Sequence, residues 1–165
     1  MSVITSVSGN NKRIDALESG AFAEIYASEN ATGQIIPNGS SYTKVTQFDQ
    51  NGFSSNCTPD QLNNKITITK AGRYKVTGSF SFFCDANGDR HIGAAFLNGV
   101  EQSNLEFRRK IANGADIGST SFSGVIEVST TSIDLDFRVR HDDVSPITVT
   151  FEYINLNVEC IGEIE

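Results

Sequence analysis

ITITKAGRYKVTGSFSFFC, residues 66–84, is the stretch of sequence that decides the fold. From Tyr74 to Phe82, apolar residues or glycine occupy every second position, and Lys, Thr and Ser stand between them. A period of two predicts a β-strand with one buried face and one solvent-exposed face. The tripeptide 70–72 interrupts the pattern, so a shorter strand is expected before it.

The same pattern recurs along the rest of the chain. The other alternating or apolar segments are 22–27, 34–36, 42–48, 92–97, 105–111, 117–128, 133–140 and 147–162. Short Gly/Asn turn signals such as Asn98-Gly99 separate many of them, and no segment has the pattern of a long helix. In the last segment the apolar phase shifts by one residue after Tyr153, which predicts a β-bulge or a strand covered on both faces. The pattern indicates a sandwich or barrel of about eight to ten antiparallel strands.

Composition and charge describe one folded domain with an acidic surface. The chain has 165 residues and a net charge of −7, whereas a nucleic-acid-binding protein needs a basic surface for phosphate. No stretch reaches the length of a membrane span, and the N-terminus lacks an apolar leader segment. We therefore expect no nucleic-acid partner, no membrane partner and no export by the usual secretory route. Cys57, Cys84 and Cys160 lack metal-type spacing and are odd in number, which predicts at least one free, buried thiol.

The N-terminal segment is predicted to be an arm, residues 1–20, in front of a domain formed by residues 21–165. A β-prone run at its start contains Val3, Ile4 and Val7, and the breaker SGNN follows. Such a run buries too little surface to fold alone. We expect these three side chains to dock on a partner, for example by adding a strand to an exposed sheet edge.

The loop after the organising strand, DANGD at 85–89, has two interpretations. It resembles the beginning of an EF-hand calcium loop, but the downstream glutamate and the flanking helices are missing. Asn87-Gly88 is also a common hairpin signal. The hairpin is the favoured interpretation, and no bound metal is expected. Asp85, Asn87 and Asp89 are nevertheless candidates for ligand recognition, because loops on a rigid sandwich suit that role.

No residue pattern indicates catalysis. His91 and His141 are the only histidines, and no nucleophile elbow accompanies them. The triplet His141-Asp142-Asp143 follows a predicted strand and precedes Ser145-Pro146, which is typical of a turn. We expect no enzyme activity, no catalytic residue and no cofactor.

A resemblance to a known family adds a more specific fold. The segment 68–76, ITKAGRYKV, the strand that ends in Leu97-Asn98-Gly99, the segment 121–126, SFSGVI, and a Phe/Tyr-rich closing segment follow one another. Their order resembles the jelly-roll domain shared by the head of complement component 1q and the tumour necrosis factor ligands, over about residues 33–162. The resemblance implies an all-β, antiparallel jelly-roll sandwich that assembles as a compact homotrimer. The eleven Phe and four Tyr residues suggest in addition that one sheet carries surplus aromatic surface, which neighbouring copies cover.

Two functions fit these features. The first is a structural protein of a bacteriophage particle: a homotrimeric decoration (cement) protein on the capsid exterior, made in the host cytoplasm. Its arm would hold the major capsid protein or another virion component. The alternative is a receptor- or saccharide-binding head of a fibre or adhesin, which would use loops such as 54–64, 85–90 or 142–145.

Overall fold

The computed structural model describes residues 20–113 and 116–164 of the chain. Val3, Ile4 and Val7 lie outside the described residues, so the predicted arm and its boundary with the domain stay predictions. The strands are β1 Phe22–Ala27, β2 Gln34–Ile36, β3 Thr43–Lys44, β4 Gln50–Asn51, β5 Cys57–Asp60, β6 Lys65–Ile68, β7 Gly72–Cys84, β8 Arg90–Leu97, β9 Val100–Lys110, β10 Gly118–Val128, β11 Ile133–His141 and β12 Ile147–Gly162. In these ranges the helical structure is one 3-10 turn at Gln61–Asn63.

Two antiparallel sheets form the domain. In sheet A the strand order is β10-β7-β12-β1-β4, and β2 also pairs with β12. In sheet B the order is β5-β6-β11-β8-β9, and β3 also pairs with β11. The prediction of an antiparallel sandwich is confirmed, with nine strands of four or more residues and three shorter ones in the described ranges.

Aromatic rings between the sheets form the centre of the core. The rings of Phe80 on β7 and Phe137 on β11 stack with their centroids 4.3 Å apart, which joins sheet A to sheet B. Phe107, Phe122 and Phe151 surround this pair with centroids 5.2 to 6.1 Å from Phe80. Alternation places these side chains on one face of each strand, and the opposite faces carry polar residues.

The surplus of aromatic surface is smaller than the composition suggested. Eight of the eleven Phe residues and Tyr74 are buried within the single chain. Phe22 and Phe53 are exposed, and Tyr153 is 46% exposed. A sandwich of this size accommodates more aromatic volume than the composition argument allowed, because both sheets contribute rings to one shared layer.

The Asn-Gly turn signals differ in outcome. Asn98 and Gly99 have φ angles of 45° and 81°, and Leu97 pairs with Val100, so they form the predicted two-residue hairpin between β8 and β9. The hairpin prediction at 87–88 is wrong, because β7 belongs to sheet A and β8 to sheet B. A local turn signal reports a change of chain direction and does not report which sheet receives the next strand.

Four further predictions concern strand detail and the thiols. The register between β12 and β7 shifts between Phe151 and Tyr153, which confirms the bulge. The segment 57–60, read as part of a loop, is instead the edge strand β5, where Pro59 is tolerated because an edge strand leaves one row of N–H groups unpaired. The predicted strand 42–48 shrinks to β3. All three cysteines are free thiols, and Cys57 and Cys84 are buried, as expected.

Candidate functional site

The outer face of sheet A presents an ordered array of small polar side chains. Strand register aligns Tyr26 on β1, Asn155 on β12, Ser79 on β7 and Ser121 on β10 in one row. The next row holds Glu24, Asn157, Thr77 and Ser123. Tyr153, Ser81 and Ser119 form a row on the other side, and the two serine hydroxyls are 2.8 Å apart. We call these three rows the serine face.

A shallow groove of about 440 Å³ crosses the serine face. Tyr26 and Tyr153 stand on it among the hydroxyl groups of Ser79, Ser81 and Ser119. Tyr153 is 46% exposed and Tyr26 is half-buried, and most of the side chains around them on this face are Ser, Thr or Asn. Because these side chains are short, a second flat surface can approach the sheet closely, and the two tyrosine rings provide contact area.

A second groove, of about 390 Å³, adjoins the first at the edge formed by β1 and β4. Its walls are Glu24, Tyr26, Asn51, Phe53 and Asn155. The side-chain amide of Asn155 donates a hydrogen bond to the Glu24 carboxylate, and Phe53 is 89% exposed. The groove thus combines two aromatic rings with amide and carboxyl groups.

The outer face of sheet B is charged and internally paired. On β11, Asp134 accepts hydrogen bonds from Lys65 at 2.8 Å and Thr67 at 2.7 Å, and Asp136 accepts one from Arg138 at 2.7 Å. The Lys65–Asp134 ion pair joins β6 to β11, so pairing across strands accounts for part of the alternating charge on β11.

Aromatic rings also engage the arginines of this face. The Arg138 guanidinium lies 4.4 Å from the Phe96 ring centroid, and that of Arg140 lies 5.3 Å from the Tyr42 ring. Burial, together with the nearby Glu101 carboxylate, raises the pKa of Tyr42 to about 12. These side chains satisfy one another, so the face offers few unmet contacts to a ligand.

The loop 85–89 places its three candidate residues in different environments. Asp85 and Asn87 are exposed, and an Asp85 carboxylate oxygen accepts a hydrogen bond from the Thr148 N–H at 2.8 Å. Asp89 is buried, and its Oδ2 atom lies 3.4 Å from His141 Nδ1 and 3.8 Å from His91 Nε2. The role of this loop in recognition stays a prediction, and the Asp89 carboxylate faces the interior.

The tertiary structure joins two histidines that sequence reasoning treated separately. His91 and His141 are directly opposite in the β8–β11 register, and both are fully buried. The sequence signal was present, because His141 continues the inward phase of Leu135, Phe137 and Val139 on β11. The triplet 141–143 does end in a turn, since the Asp143 N–H donates to His141 Nδ1 at 3.1 Å.

Metal-type clusters and membrane-spanning helices are absent from residues 20–113 and 116–164. No set of three or more His, Cys, Asp or Glu side chains has the geometry of a metal site there. No helix in the same ranges has the length and apolar character needed to cross a membrane.

Solved structures share this two-sheet architecture over most of the chain. The globular domain of zebrafish complement 1qA protein matches with a TM-score of 0.58 and 12% identity, covering 87% of this chain and 98% of that one. The chain has the jelly-roll fold of complement 1q and tumour necrosis factor domains. Eiger TNF from S. frugiperda matches this jelly roll with a TM-score of 0.57 and 9% identity, covering 88% of this chain and 96% of that one.

Murine APRIL is a third structure with this jelly roll. It matches with a TM-score of 0.54 and 11% identity, covering 86% of this chain and 99% of that one. No protein-family model and no curated protein sequence matches the chain. At such low identities the likeness establishes the jelly-roll fold and leaves the function to be argued from the residues.

Proposed function

We propose that this jelly-roll domain is a non-enzymatic structural protein of a virus particle, a homotrimeric capsid decoration protein whose subunits meet through the serine face of sheet A. The observation that carries the proposal is the composition of that face, where Ser, Thr and Asn side chains surround two tyrosines. A free surface of this kind has no evident use in a monomer, whereas close packing of copies gives it one.

The contact between copies is favourable for two physical reasons. Short side chains lose little conformational entropy when they are buried, and their hydroxyl groups can pair across an interface. Tyr26 and Tyr153 each combine an apolar ring with a polar hydroxyl, which suits a surface that is wet in the monomer and buried in the assembly. Serines also occupy less volume than the Lys and Glu side chains that keep other sheet faces apart.

The virion role rests on the sequence outside the described domain. The N-terminal run with Val3, Ile4 and Val7 would bind the major capsid protein or another virion component, and the jelly roll would project from the capsid exterior. The net charge of −7 gives the particle an acidic outer surface, which keeps such particles apart in solution. Synthesis in the host cytoplasm is compatible with the three free thiols.

Two measurements test the proposal in sequence. Sedimentation equilibrium at micromolar concentration should give three times the chain mass of 17.9 kDa. A variant that lacks residues 2–13 should keep this mass but no longer cosediment with candidate capsids. A monomeric full-length protein would refute the trimer, and undiminished capsid binding by the shortened protein would refute the role of the arm.

The second groove favours one alternative, a saccharide-binding head. Sugars bind through aromatic faces and through amide or carboxyl groups, and Tyr26, Phe53, Asn51 and Glu24 supply both around one groove. The site differs from the three loops that the sequence suggested. Binding on a glycan panel that disappears in Phe53→Ala and persists in Val100→Ala would favour this function over the structural one, since Val100 is also exposed but lies in sheet B and outside these loops.

A further inference from the structure

Three ionisable side chains meet in the interior at one end of the sandwich. Asp89, His91 and His141 have side-chain exposures of 4%, 0% and 0%. In the part of the chain that is described, the buried side-chain atoms without a hydrogen-bond partner are Asp89 Oδ2 and both ring nitrogens of His91. A buried polar atom without a partner is costly, so this cluster requires an explanation.

The hydrogen bonds of His141 define its protonation state. Its Nδ1 atom accepts from the Asp143 N–H at 3.1 Å, and a backbone N–H can only donate. Its Nε2 atom lies 3.1 Å from the Ile36 carbonyl oxygen, which can only accept. His141 is therefore the neutral tautomer with the proton on Nε2. In this state the ring connects β2 on one side with the turn after β11 on the other.

Neither imidazole supplies a proton to Asp89 Oδ2. The nearer atom, His141 Nδ1 at 3.4 Å, carries none in this tautomer. The other, His91 Nε2, is 3.8 Å away, which is beyond a hydrogen bond. The other Asp89 oxygen accepts from the Arg90 N–H at 2.8 Å. The Asp89 carboxylate thus lies between two imidazole rings and is hydrogen-bonded to neither. One further proton, on the ring nitrogen of either histidine that faces Asp89 Oδ2, would supply the missing donor.

We propose that Asp89, His91 and His141 form a buried proton-binding switch that controls how the loops 85–89 and 142–146 are held at this end of the sandwich. A proton taken from solvent by His91 converts Nε2 into a charged donor for Asp89 Oδ2. A proton taken by His141 has a larger effect, because Nδ1 then donates to Asp89 Oδ2 and can no longer accept from Asp143. The turn after β11 loses its anchor as the ion pair forms.

The histidines, and not the neighbouring ionisable side chains, are the groups that bind the proton. The ionisable side chains on the two loops, and next to or opposite the histidines in strand register, are Cys84, Asp85, Arg90, Arg109, Lys110, Arg140, Asp142 and Asp143. Arg90 and Arg140 both pair with Asp142 at the surface. Burial raises the pKa of the Cys84 thiol, which keeps it protonated. Histidine is the side-chain type whose ordinary pKa lies between pH 5 and 8.

The sign of the pH effect follows from the burial of His91. Burial lowers the pKa of His91 in the folded protein, although the Asp89 carboxylate opposes this. Between that lowered pKa and about 6.5, the unfolded chain binds more protons than the folded one. The contribution of His91 to stability is therefore complete above about pH 6.5 and is lost as the pH falls below it. In that window the unfolding equilibrium constant should rise up to about tenfold per pH unit.

NMR of the histidine rings tests the switch directly. Nitrogen-correlated spectra should show the proton of the neutral His141 ring on Nε2 and none on Nδ1, as its two hydrogen bonds require, and the Asp143 amide signal should shift between pH 8 and 5. Asp89→Asn removes the carboxylate and should weaken proton binding by His91 about tenfold or more. Asp116→Asn, an exposed residue of the same charge, is the matched control and should change neither ring.

Clear outcomes would overturn the proposal. An Asp143 amide signal that is the same at pH 8 and pH 5 would do so in the wild-type protein alone, even if Asp89→Asn failed to fold. So would a His91 titration that is the same in Asp89→Asn and in the wild type. A melting temperature that rises with micromolar Zn²⁺ in the wild type but not in Asp89→Asn would identify the occupant as a metal ion and reject the proton switch. His91→Gln should flatten the acid branch of the stability curve; an unchanged branch would count against the switch.

Discussion

Replacing Tyr153 by Ser tests the proposed subunit contact most directly. Tyr153 is 46% exposed on the serine face. It is held in the sheet by its backbone, which pairs with Ser81 on β7, and not by its side chain. The substitution should therefore leave the fold intact, because the side chain is outside the core. It removes the ring at this position and keeps one hydroxyl group there, in the row of Ser81 and Ser119.

The magnitude follows from the area that the ring offers. A tyrosine carries roughly 200 Å² of surface, so the exposed part of this side chain is about 90 Å². At about 25 cal/mol per Å², its burial contributes about 2 kcal/mol per subunit and about 7 kcal/mol per trimer. The dissociation constant should then rise roughly 10⁵-fold, and the concentration of half-dissociation about 300-fold, because that concentration scales with its square root.

Sedimentation equilibrium over a wide concentration range measures this change. The wild type should remain trimeric at concentrations where Tyr153→Ser is monomeric, and circular dichroism should show the same strand content for both. Val100→Ser is the control, since Val100 is 64% exposed on β9, in sheet B and outside the serine face. A Tyr153→Ser protein as trimeric as the control would show that the copies do not meet through this face.

Three further predictions concern the core, each measured on the purified protein. Gly78→Ala should lower the free energy of unfolding in urea by about 1–3 kcal/mol, since the new methyl group would lie 2.6 Å from ring atoms of Phe80 and Phe122; an unchanged midpoint would contradict that packing. Phe137→Ala removes the ring that stacks on Phe80 and should cost about 3–5 kcal/mol; a loss below 1 kcal/mol would mean that the core refills the cavity. Burial raises the pKa of Cys57 to about 11, so at pH 8 it should resist iodoacetamide until urea unfolds the chain; rapid labelling of the folded protein would argue against burial.

Alternation made the strands predictable because it is a local property. Phe22–Ala27, Gln34–Ile36 and Ile147–Gly162 agree with the structure to the residue. The β12 bulge was visible as a change of phase after Tyr153, since the side-chain period of a strand is two. The edge strand β5 escaped notice because Pro59 lowers the strand signal, while an edge position tolerates it.

The candidate sites were much less predictable. Apart from Tyr153, the serine face consists of residues that alternation assigns to the exposed side of four separate strands, and only the pairing β10-β7-β12-β1 brings them together. Tyr153 reads as part of the apolar phase of 147–153, and the bulge between Phe151 and Tyr153 turns it to the exposed face. The same alternation marked His141 as inward-facing, but the triplet 141–143 read as a turn. Asp89 read as a surface loop residue because nothing local indicated that the chain crosses from sheet A to sheet B at that point.

The sequence by itself determined that this chain forms antiparallel strands, which face of each strand is buried, and where several of the turns lie. Each of these depends on residues within one strand or turn, where backbone geometry and side-chain polarity act over a few positions. Only the tertiary structure decided which strands are neighbours, that one subunit buries most of the Phe side chains, and that Asp89 meets His91 and His141. These outcomes depend on contacts between residues far apart in the chain, and their free energy arises only when the two sheets pack together.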